Sequence, residues 1–244
     1  AKAENIPIIV HEANALPGMA NKRAAKFASA VATAFSGTGL RGEQVVGMPL
    51  RPEIESLLAR DVQVEAREYF GLRPSDFTLL VTGGSLGAAR INKTIDESRA
   101  LLAAAGIQVL HIVGGKSELP EVSTSEYRRI KYCNRMDLAI AASDFAVSRA
   151  GASTVSEFAA VGLPAAYVPY PVGNGEQKFN VQDLVAAGGG ILISDAEFTP
   201  EFVAQKLVPL ISNSKMLRAM SAAARANGVS DGTDRLFNLV QGVL

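Results

Sequence analysis

The sequence predicts an α/β fold with doubly wound parallel sheets. Short apolar segments bounded by glycine alternate with helical patterns along most of the 244 residues. Continuous apolar strands of this kind are typical of parallel sheets that helices cover on both faces. The predicted strands are 6–10, 31–35, 77–82, 107–113, 144–148, 165–169 and 190–194. The predicted helices between them are 18–28, 88–105, 136–143, 154–161 and 176–187. In such sheets, ligands bind at the carboxyl ends of the strands.

A domain boundary is predicted within "VVGMPLRPEIES", residues 45–56, where two prolines and a glycine interrupt the pattern. We expect residues 1–45 to be the C-terminal remnant of an N-terminal domain and 46–230 to form a nucleotide-binding domain. Residues 231–244 are expected to form a helix that packs back across both. Because the chain lacks an initial methionine and enters a buried-type strand almost at once, we expect an N-terminally truncated fragment.

Composition excludes several classes of function. The chain has 24 Lys plus Arg against 24 Asp plus Glu, so no overall field favours nucleic acid, and no nucleic-acid partner is expected. Cys133 is the only cysteine, which excludes an internal disulfide and suits a reducing compartment. Neither His11 nor His111 lies in a pattern of metal ligands. No apolar stretch reaches the 18 residues that a membrane span needs, so none is predicted.

The stretch "SRAGASTVSEFAAVGLPAAYVPYP", residues 148–171, contains the most informative strand end. A helix is expected to begin near Thr154, and the free N–H groups of its first turn would bind a diphosphate. Glu157, one turn in, would accept hydrogen bonds from ribose hydroxyls. Thr154 and Glu157 also have the spacing of a capping box, which needs no ligand. The two interpretations are balanced on spacing alone, and Arg149 in the same turn favours the ligand.

A second strand end, "LLVTGGSLGAARIN", places Gly83, Gly84 and Gly87 in a tight turn with Ser85 at its crest. The spacing matches neither the dinucleotide fingerprint nor the P-loop. Close packing of a helix on a strand explains such glycines equally well.

Two further polar segments are candidates for binding a sugar. Asn14 follows the first predicted strand and both donates and accepts hydrogen bonds, although an Asn-mediated turn is the alternative. Glu176, Gln177 and Asn180 share a predicted helix in "GNGEQKFN", where a solvated surface is the commoner explanation.

Five segments in order resemble the MurG family: "HEANALPGMAN", "GMPLR", "GGSLGAARIN", residues 148–171 and "GNGEQKFN". The resemblance covers nearly the whole chain, and residues 148–171 are its most specific part. It implies the GT-B fold, two Rossmann-like doubly wound parallel-sheet domains, of which the first would be incomplete here. It also implies an inverting transfer of N-acetylglucosamine from UDP-N-acetylglucosamine to the C4 hydroxyl of N-acetylmuramic acid in lipid I, an undecaprenyl-linked acceptor. The product is lipid II, used in peptidoglycan synthesis.

The resemblance further implies a peripheral enzyme at the cytoplasmic face of the bacterial cell membrane, with no cofactor. The sequence lacks Asp-x-Asp, the usual metal-diphosphate clamp of the other major glycosyltransferase architecture, which favours transfer without a metal. Lys22, Arg23 and Lys26 would then belong to a membrane-docking surface, whereas a solvated basic face is the commoner interpretation.

By position, the resemblance implies one role for each of several residues. Glu157 would bind the ribose diol, and the backbone of Ala152, Ser153 and Thr154 would face the diphosphate. Ser85 and Arg51 would lie beside the nucleotide or its phosphates. The N-acetylglucosamine would contact Asn14, Glu176 and Gln177. The backbone at Tyr132 and Cys133 would read the uracil edge, which makes Cys133 a wall residue and not a nucleophile.

Some positions depart from the family pattern. Leu86 stands where glutamine is frequent, Asn134 and Arg135 replace a commonly acidic pair, and Glu176 replaces a frequent glutamine or histidine. The family's first glycine-rich loop, with the histidine regarded as the base, would precede residue 6 by on the order of 100 residues. We therefore assign no catalytic residue and expect this fragment to be inactive alone.

Other functions remain open at this point. Another GT-B enzyme, such as a glycolipid glycosyltransferase or a UDP-sugar epimerase, would share the nucleotide-binding half. A non-catalytic module that binds a nucleotide sugar is a third class.

Overall fold

A computed structural model describes residues 6–244. Near its N-terminus lies a three-stranded parallel sheet of β1 (Ile9–Glu12), β2 (Ala30–Thr33) and β3 (Glu43–Val45), paired in that order. Helix α1 (Met19–Ala24) connects β1 to β2. Every residue of β2, the central strand, is buried.

A second, seven-stranded sheet forms the body of the molecule, in the order β10-β9-β8-β4-β5-β7-β6. All neighbouring strands are parallel except β6 and β7. The strands are β4 (Thr78–Thr82), β5 (Gln108–Ile112), β6 (Val122–Ser123), β7 (Tyr127–Ile130), β8 (Phe145–Ser148), β9 (Ala165–Tyr167) and β10 (Gly190–Leu192). The helices before α8 are α2 (Pro52–Ser56), α3 (Gln63–Tyr69), α4 (Ala89–Glu97), α5 (Arg99–Ala104), α6 (Met136–Ala141) and α7 (Ala152–Val161).

The remaining helices follow the sheet's last two strands. They are α8 (Glu176–Asn180), α9 (Gln182–Ala186), α10 (Pro200–Phe202), α11 (Val208–Ile211), α12 (Ser214–Asn227) and α13 (Gly232–Gln241). A π-helical segment, Val203–Leu207, joins α10 to α11.

Apolar cores cover both faces of the large sheet. Leu80 and Leu110 face a cluster that includes Phe158 of α7, whereas Leu79 and Val81 face a cluster that includes Ile91 of α4. Because successive strand residues alternate between two buried faces, a central strand such as β4 is buried at every position, with an apolar run at its centre. This is the doubly wound arrangement that the apolar runs predicted.

The chain passes between the sheets at two places that touch each other. Gly47 has a φ of +86°, and a Cβ there would lie 2.5 Å from Cγ1 of Val229. A Cβ on Gly232 would lie 2.6 Å from the carbonyl oxygen of Met48. From Gly232 the chain continues as α13, which contacts β2 of the first sheet. The predicted division at residues 45–46 and 230–231 stays a prediction, and residues 1–5 of it lie outside the described residues.

The structure differs from the predicted elements in several respects. Helices α2 and α3 were not predicted, and the predicted helix 18–28 is shorter, Met19–Ala24. The predicted helix 176–187 is two helices, α8 and α9. Strands β3, β6 and β7 were not predicted, and β1 lies at Ile9–Glu12 instead of 6–10. The predicted helix 88–105 is two helices that meet at Ser98, whose hydroxyl donates to the carbonyl of Thr94 at 2.7 Å. Such a bond back to the helix commonly bends it. Helix α7 begins at Ala152, before the expected Thr154.

Candidate functional site

A cavity of about 500 Å³ opens at the carboxyl ends of β4, β5 and β7, beside the start of α7. All parallel strands end at the same edge of a sheet, so loops distant in sequence meet there. The cavity is lined by Met48, Pro49, Arg51, Thr82, Gly84, Ser85, Ile112, Gly114, Lys131, Tyr132, Cys133, Asn134, Met136, Ser153, Thr154 and Glu157. Six of the ten predicted binding residues are among them: Arg51, Ser85, Cys133, Ser153, Thr154 and Glu157.

An ion pair joins Arg51 and Glu157 across this cavity. Arg51 Nε donates to Glu157 Oε1 at 3.0 Å, and Nη2 donates to Oε2 at 2.9 Å. This two-bond geometry fixes the plane of the carboxylate. The side chain of Glu157 is only 11% exposed and that of Arg51 is 49% exposed, so the arginine is the solvent-facing member of the pair. The hydrogen bonds from Arg51 to Glu157 raise the pKa of the guanidinium.

The start of α7 is open to a ligand. Gly151 occupies the N-cap position, and no side chain within residues 6–244 caps the helix. Thr154 is the third residue of the helix, so the capping box with Glu157, considered from the sequence, is not formed. Ala152 does not line the cavity, although it begins the turn whose next two residues do. Uncapped N–H groups at a helix start attract an anion.

The glycine turn after β4 packs, backbone against backbone, on the turn after β5. A Cβ on Gly87 would lie 2.2 Å from the carbonyl oxygen of Val113, and one on Gly114 would lie 2.1 Å from the Gly87 nitrogen. Gly115 N donates to the carbonyl of Ser85 at 2.9 Å. Packing therefore requires Gly83 and Gly87, as the alternative interpretation held, whereas Gly84 has open space beside it and a φ of +84°. Ser85 itself is exposed at the crest and lines the cavity.

The far wall of the cavity follows β7. Cys133 is buried there, and burial raises the pKa of its thiol, which keeps the sulfur protonated. Tyr132 is 62% exposed beside it. Lys131 and Thr82 also line the cavity, and neither was among the predicted residues. The position directly after a parallel strand is the signal that would have found Lys131, but β7 itself was not predicted.

None of the four remaining predicted residues lines the cavity. Asn14 bonds to Asn180, a buried residue outside the predicted set, and Glu176 and Gln177 share helix α8 with Asn180. Asn180 Nδ2 donates to Asn14 Oδ1 at 3.1 Å and to the Ala150 carbonyl at 3.2 Å. Its Oδ1 accepts from Ala15 N at 2.9 Å, so this side chain joins the first sheet's loop to the turn before α7.

Gln177 supports the same turn. Its Oε1 accepts hydrogen bonds from Ala150 N at 3.2 Å and from Tyr170 N at 2.9 Å. Its amide nitrogen is the part of the side chain that these two bonds leave for a further acceptor. Glu176 begins α8 one residue earlier.

Two charged residues near these loops bind the protein's own groups. Burial of Glu12 acts to raise its pKa, but hydrogen bonds from Asn14 N, Asn21 and Gly18 N outweigh burial and lower it. Arg149 Nη1 lies 3.0 Å from the carbonyls of Val168 and Pro169 and 2.6 Å from Asp195. Arg149 therefore stabilises the end of β9, and these contacts explain its presence in the turn without a ligand.

Among residues 6–244, no group of three or more His, Cys, Asp or Glu side chains is arranged to hold a metal ion. Over the same residues, no helix has both the length and the apolar character needed to cross a bilayer.

A solved structure and a family profile place this chain in the class of GT-B glycosyltransferases. A crystal structure of MurG from Acinetobacter baumannii superposes with a TM-score of 0.78 at 26% identity, over 99% of this chain and 68% of that one. The glycotransferase of kitacinnamycin superposes with a TM-score of 0.65 at 17% identity, over 89% of this chain and 55% of that one, which shows the shared fold. The family profile named "Glycosyltransferase family 28 C-terminal domain" matches residues 78–236.

Sequence relatives narrow this class. The UDP-N-acetylglucosamine–N-acetylmuramyl-(pentapeptide) pyrophosphoryl-undecaprenol N-acetylglucosamine transferase of Leifsonia xyli is 50% identical over 241 residues, 99% of this chain and 67% of the relative. The enzyme of that name from Streptomyces coelicolor is 49% identical, over 98% of this chain and 67% of the relative. The chain belongs to this family of UDP-N-acetylglucosamine-dependent hexosyltransferases. It spans about two thirds of the length of the relatives it matches.

Proposed function

We propose that this chain provides the UDP-N-acetylglucosamine site of an enzyme that converts lipid I to lipid II. The observation that carries this proposal is the cavity in which Arg51, Ser85 and Glu157 meet the open start of α7. Its volume of about 500 Å³ lies within the range for small-molecule sites.

Within this cavity, Glu157 accepts hydrogen bonds from the two ribose hydroxyls. Arg51 already fixes the plane of the Glu157 carboxylate, and each oxygen retains a lone pair for a further donor. The N–H groups of Ala152, Ser153 and Thr154 receive the diphosphate together with Ser85. The backbone at Cys133 forms hydrogen bonds to the edge of the uracil, and the protonated thiol is part of the cavity wall.

The N-acetylglucosamine extends from the diphosphate toward Asn14, Glu176 and Gln177. Asn180 holds Asn14 beside the turn at Ala150, directly before the start of α7. The C4 hydroxyl of N-acetylmuramic acid gives its proton to a general base and attacks the anomeric carbon, and the bond from that carbon to the diphosphate oxygen breaks. The negative charge that develops on UDP is stabilised by the N–H groups of α7 and by Arg51, which are in place before the reaction.

A binding experiment tests the donor site. Glu157→Ala should weaken UDP-N-acetylglucosamine binding by about 10- to 100-fold, since hydrogen bonds to a charged group are lost. Glu65→Ala, which removes an exposed carboxylate on α3, is the matched control. Calorimetry and thermal melts on the same samples give both readouts. Unchanged affinity in Glu157→Ala, with a lowered melting temperature, would leave this carboxylate only a structural role.

A transfer assay separates the enzyme classes. The chain should bind UDP and, because we propose that the base and most of the acceptor surface are absent from it, form no lipid II from a lipid I analogue. Robust lipid II formation would contradict that and direct attention to His11, whose Nε2 lies 3.1 Å from the Gly47 carbonyl oxygen. Epimerisation of UDP-N-acetylglucosamine without any lipid would instead identify an epimerase.

We also propose that the enzyme is peripheral at the cytoplasmic face of the membrane, where the undecaprenyl chain of the acceptor lies. In support, Lys22, Arg23 and Lys26 are exposed beside Met19, which is 88% exposed, and the exposed Phe27. Basic and apolar side chains together suit an anionic bilayer surface. Vesicles with phosphatidylglycerol should retain the chain, and Lys22→Glu with Lys26→Glu should release it. Lys215→Glu with Arg218→Glu on α12 is the control, and equal release by both pairs would contradict the proposal.

A further inference from the structure

A buried row of polar side chains runs from the core of the large sheet to the glycine turn. Tyr127 Oη lies 2.6 Å from His111 Nδ1, and His111 Nε2 lies 3.1 Å from Asn92 Oδ1. Asn92 Nδ2 donates to the carbonyl of Val113 at 2.8 Å. All three side chains of this row are buried, and none of them lines the cavity: His111, Asn92 and Tyr127.

These partners define the direction of every hydrogen bond in the row. Asn92 Oδ1 is only an acceptor, so His111 Nε2 carries the hydrogen and Nδ1 accepts from the Tyr127 hydroxyl. A neutral imidazole satisfies this pattern. Burial, together with the charge of Arg129, lowers the pKa of His111 to about 3. Aligned bonds in a low-dielectric interior strengthen one another.

The last acceptor in the row, the Val113 carbonyl, lies against the backbone of Gly87. The next residues are Gly114, which contacts Gly87, and Gly115, whose N–H donates to the Ser85 carbonyl at 2.9 Å. A shift of the Val113 carbonyl therefore moves both turns together. Ser85, at the crest of this turn, lines the cavity together with Gly84.

We propose that Asn92 and His111 are positioning residues for diphosphate binding: they hold the Val113 carbonyl so that Ser85 and its turn keep the shape that receives the phosphates. This inference rests on the proposed donor site and assigns it a support that lies outside the cavity. Because uridine has no phosphate, its affinity should not depend on Asn92 or His111.

The test compares two variants of the same helix. Asn92→Ala removes the bond to the Val113 carbonyl. Thr94→Val, the matched control, removes a buried hydroxyl that donates to the Phe198 carbonyl at 2.9 Å, away from the glycine turn. Asn92→Ser, a milder change, serves if Asn92→Ala does not fold. The readouts are the affinities for UDP and for uridine, and amide hydrogen exchange at Gly115 without ligand.

Asn92→Ala should weaken UDP binding about tenfold, while uridine binding changes less than about twofold. Exchange at Gly115 should accelerate in Asn92→Ala and not in Thr94→Val. Equal losses for UDP and uridine, or unchanged exchange at Gly115, would overturn the inference. If the unaltered chain binds neither compound, the donor site fails and the role in binding fails with it. That result is distinct from a chain that binds UDP and is insensitive to Asn92.

Discussion

Acidification should destabilise this protein through His111. The imidazole is fully buried on β5, between Tyr127 of β7 and Asn92 of α4. Arg129 on β7 contributes a positive charge nearby, and it pairs with Asp96 of α4, while the guanidinium of Arg99 lies over the Tyr127 ring. Protonation of Nδ1 would remove the hydrogen bond that Nδ1 accepts from the Tyr127 hydroxyl. It would also place a positive charge in a buried site.

The magnitude follows from the pKa of His111 in the two states. It falls from 6.5, its ordinary value, to about 3 in the folded protein. Between these values the unfolded chain binds the proton and the folded chain does not, so stability is lost as the pH falls below 6.5. Each pH unit well inside this window costs about 1.4 kcal/mol, and the change from about pH 7 to about pH 5 costs about 2 kcal/mol.

Urea unfolding at several pH values tests this. The variant His111→Gln keeps a neutral donor and acceptor, so its stability should fall by about 2 kcal/mol less than that of the unaltered chain between about pH 7 and about pH 5. The variant Thr94→Val retains His111 and should keep the steep dependence, although it is destabilised. Equal pH dependence in His111→Gln and the unaltered chain would refute the reasoning.

Two other predictions concern the turns and the leaving group. Gly114→Ala should destabilise the chain by about 2–4 kcal/mol, because φ is +86° and the new Cβ would lie 2.1 Å from the Gly87 nitrogen. Gly84→Ala, at a φ of +84° with no atom within 4 Å of the new Cβ, isolates the cost of backbone strain, and an equal loss in both would remove the packing argument. UDP binding should persist in excess chelator, because the start of α7 and Arg51 supply the positive potential. Binding that disappears with chelator and returns with a divalent ion would contradict that account.

The sequence was sufficient for the parts of the fold in which burial is complete. Strands β4, β5 and β8 are buried at every position, so their apolar runs were legible. β7 was missed because "YRRI" contains two arginines, one of which, Arg129, is buried against Asp96. A charge whose partner lies 33 residues away has no local signature.

Part of the candidate site could also be predicted, because its residues follow recognisable strands and turns. Ser85 lies in a strand-to-helix turn and Glu157 lies in the helix that follows another such turn, and glycine and small residues mark both turns. The pairing of Arg51 with Glu157 spans 106 residues, and no periodicity records it. The true start of α7 was missed because Gly151, its N-cap, carries no capping side chain. Asn180 was passed over for Asn14 because only the folded chain shows which of the two is buried.

The contact of Gly87 with Gly114 restricts how this protein can change over generations. Neither position has room for a single methyl group, and the two obstruct each other, so no second substitution compensates for the first. Side chains can change more readily at the crest just before Gly87, where Leu86 is 64% exposed and Ser85 faces the cavity. We therefore expect the backbone of the turn to be conserved, and substitution of Ser85 or Leu86 can change ligand preference without changing the fold.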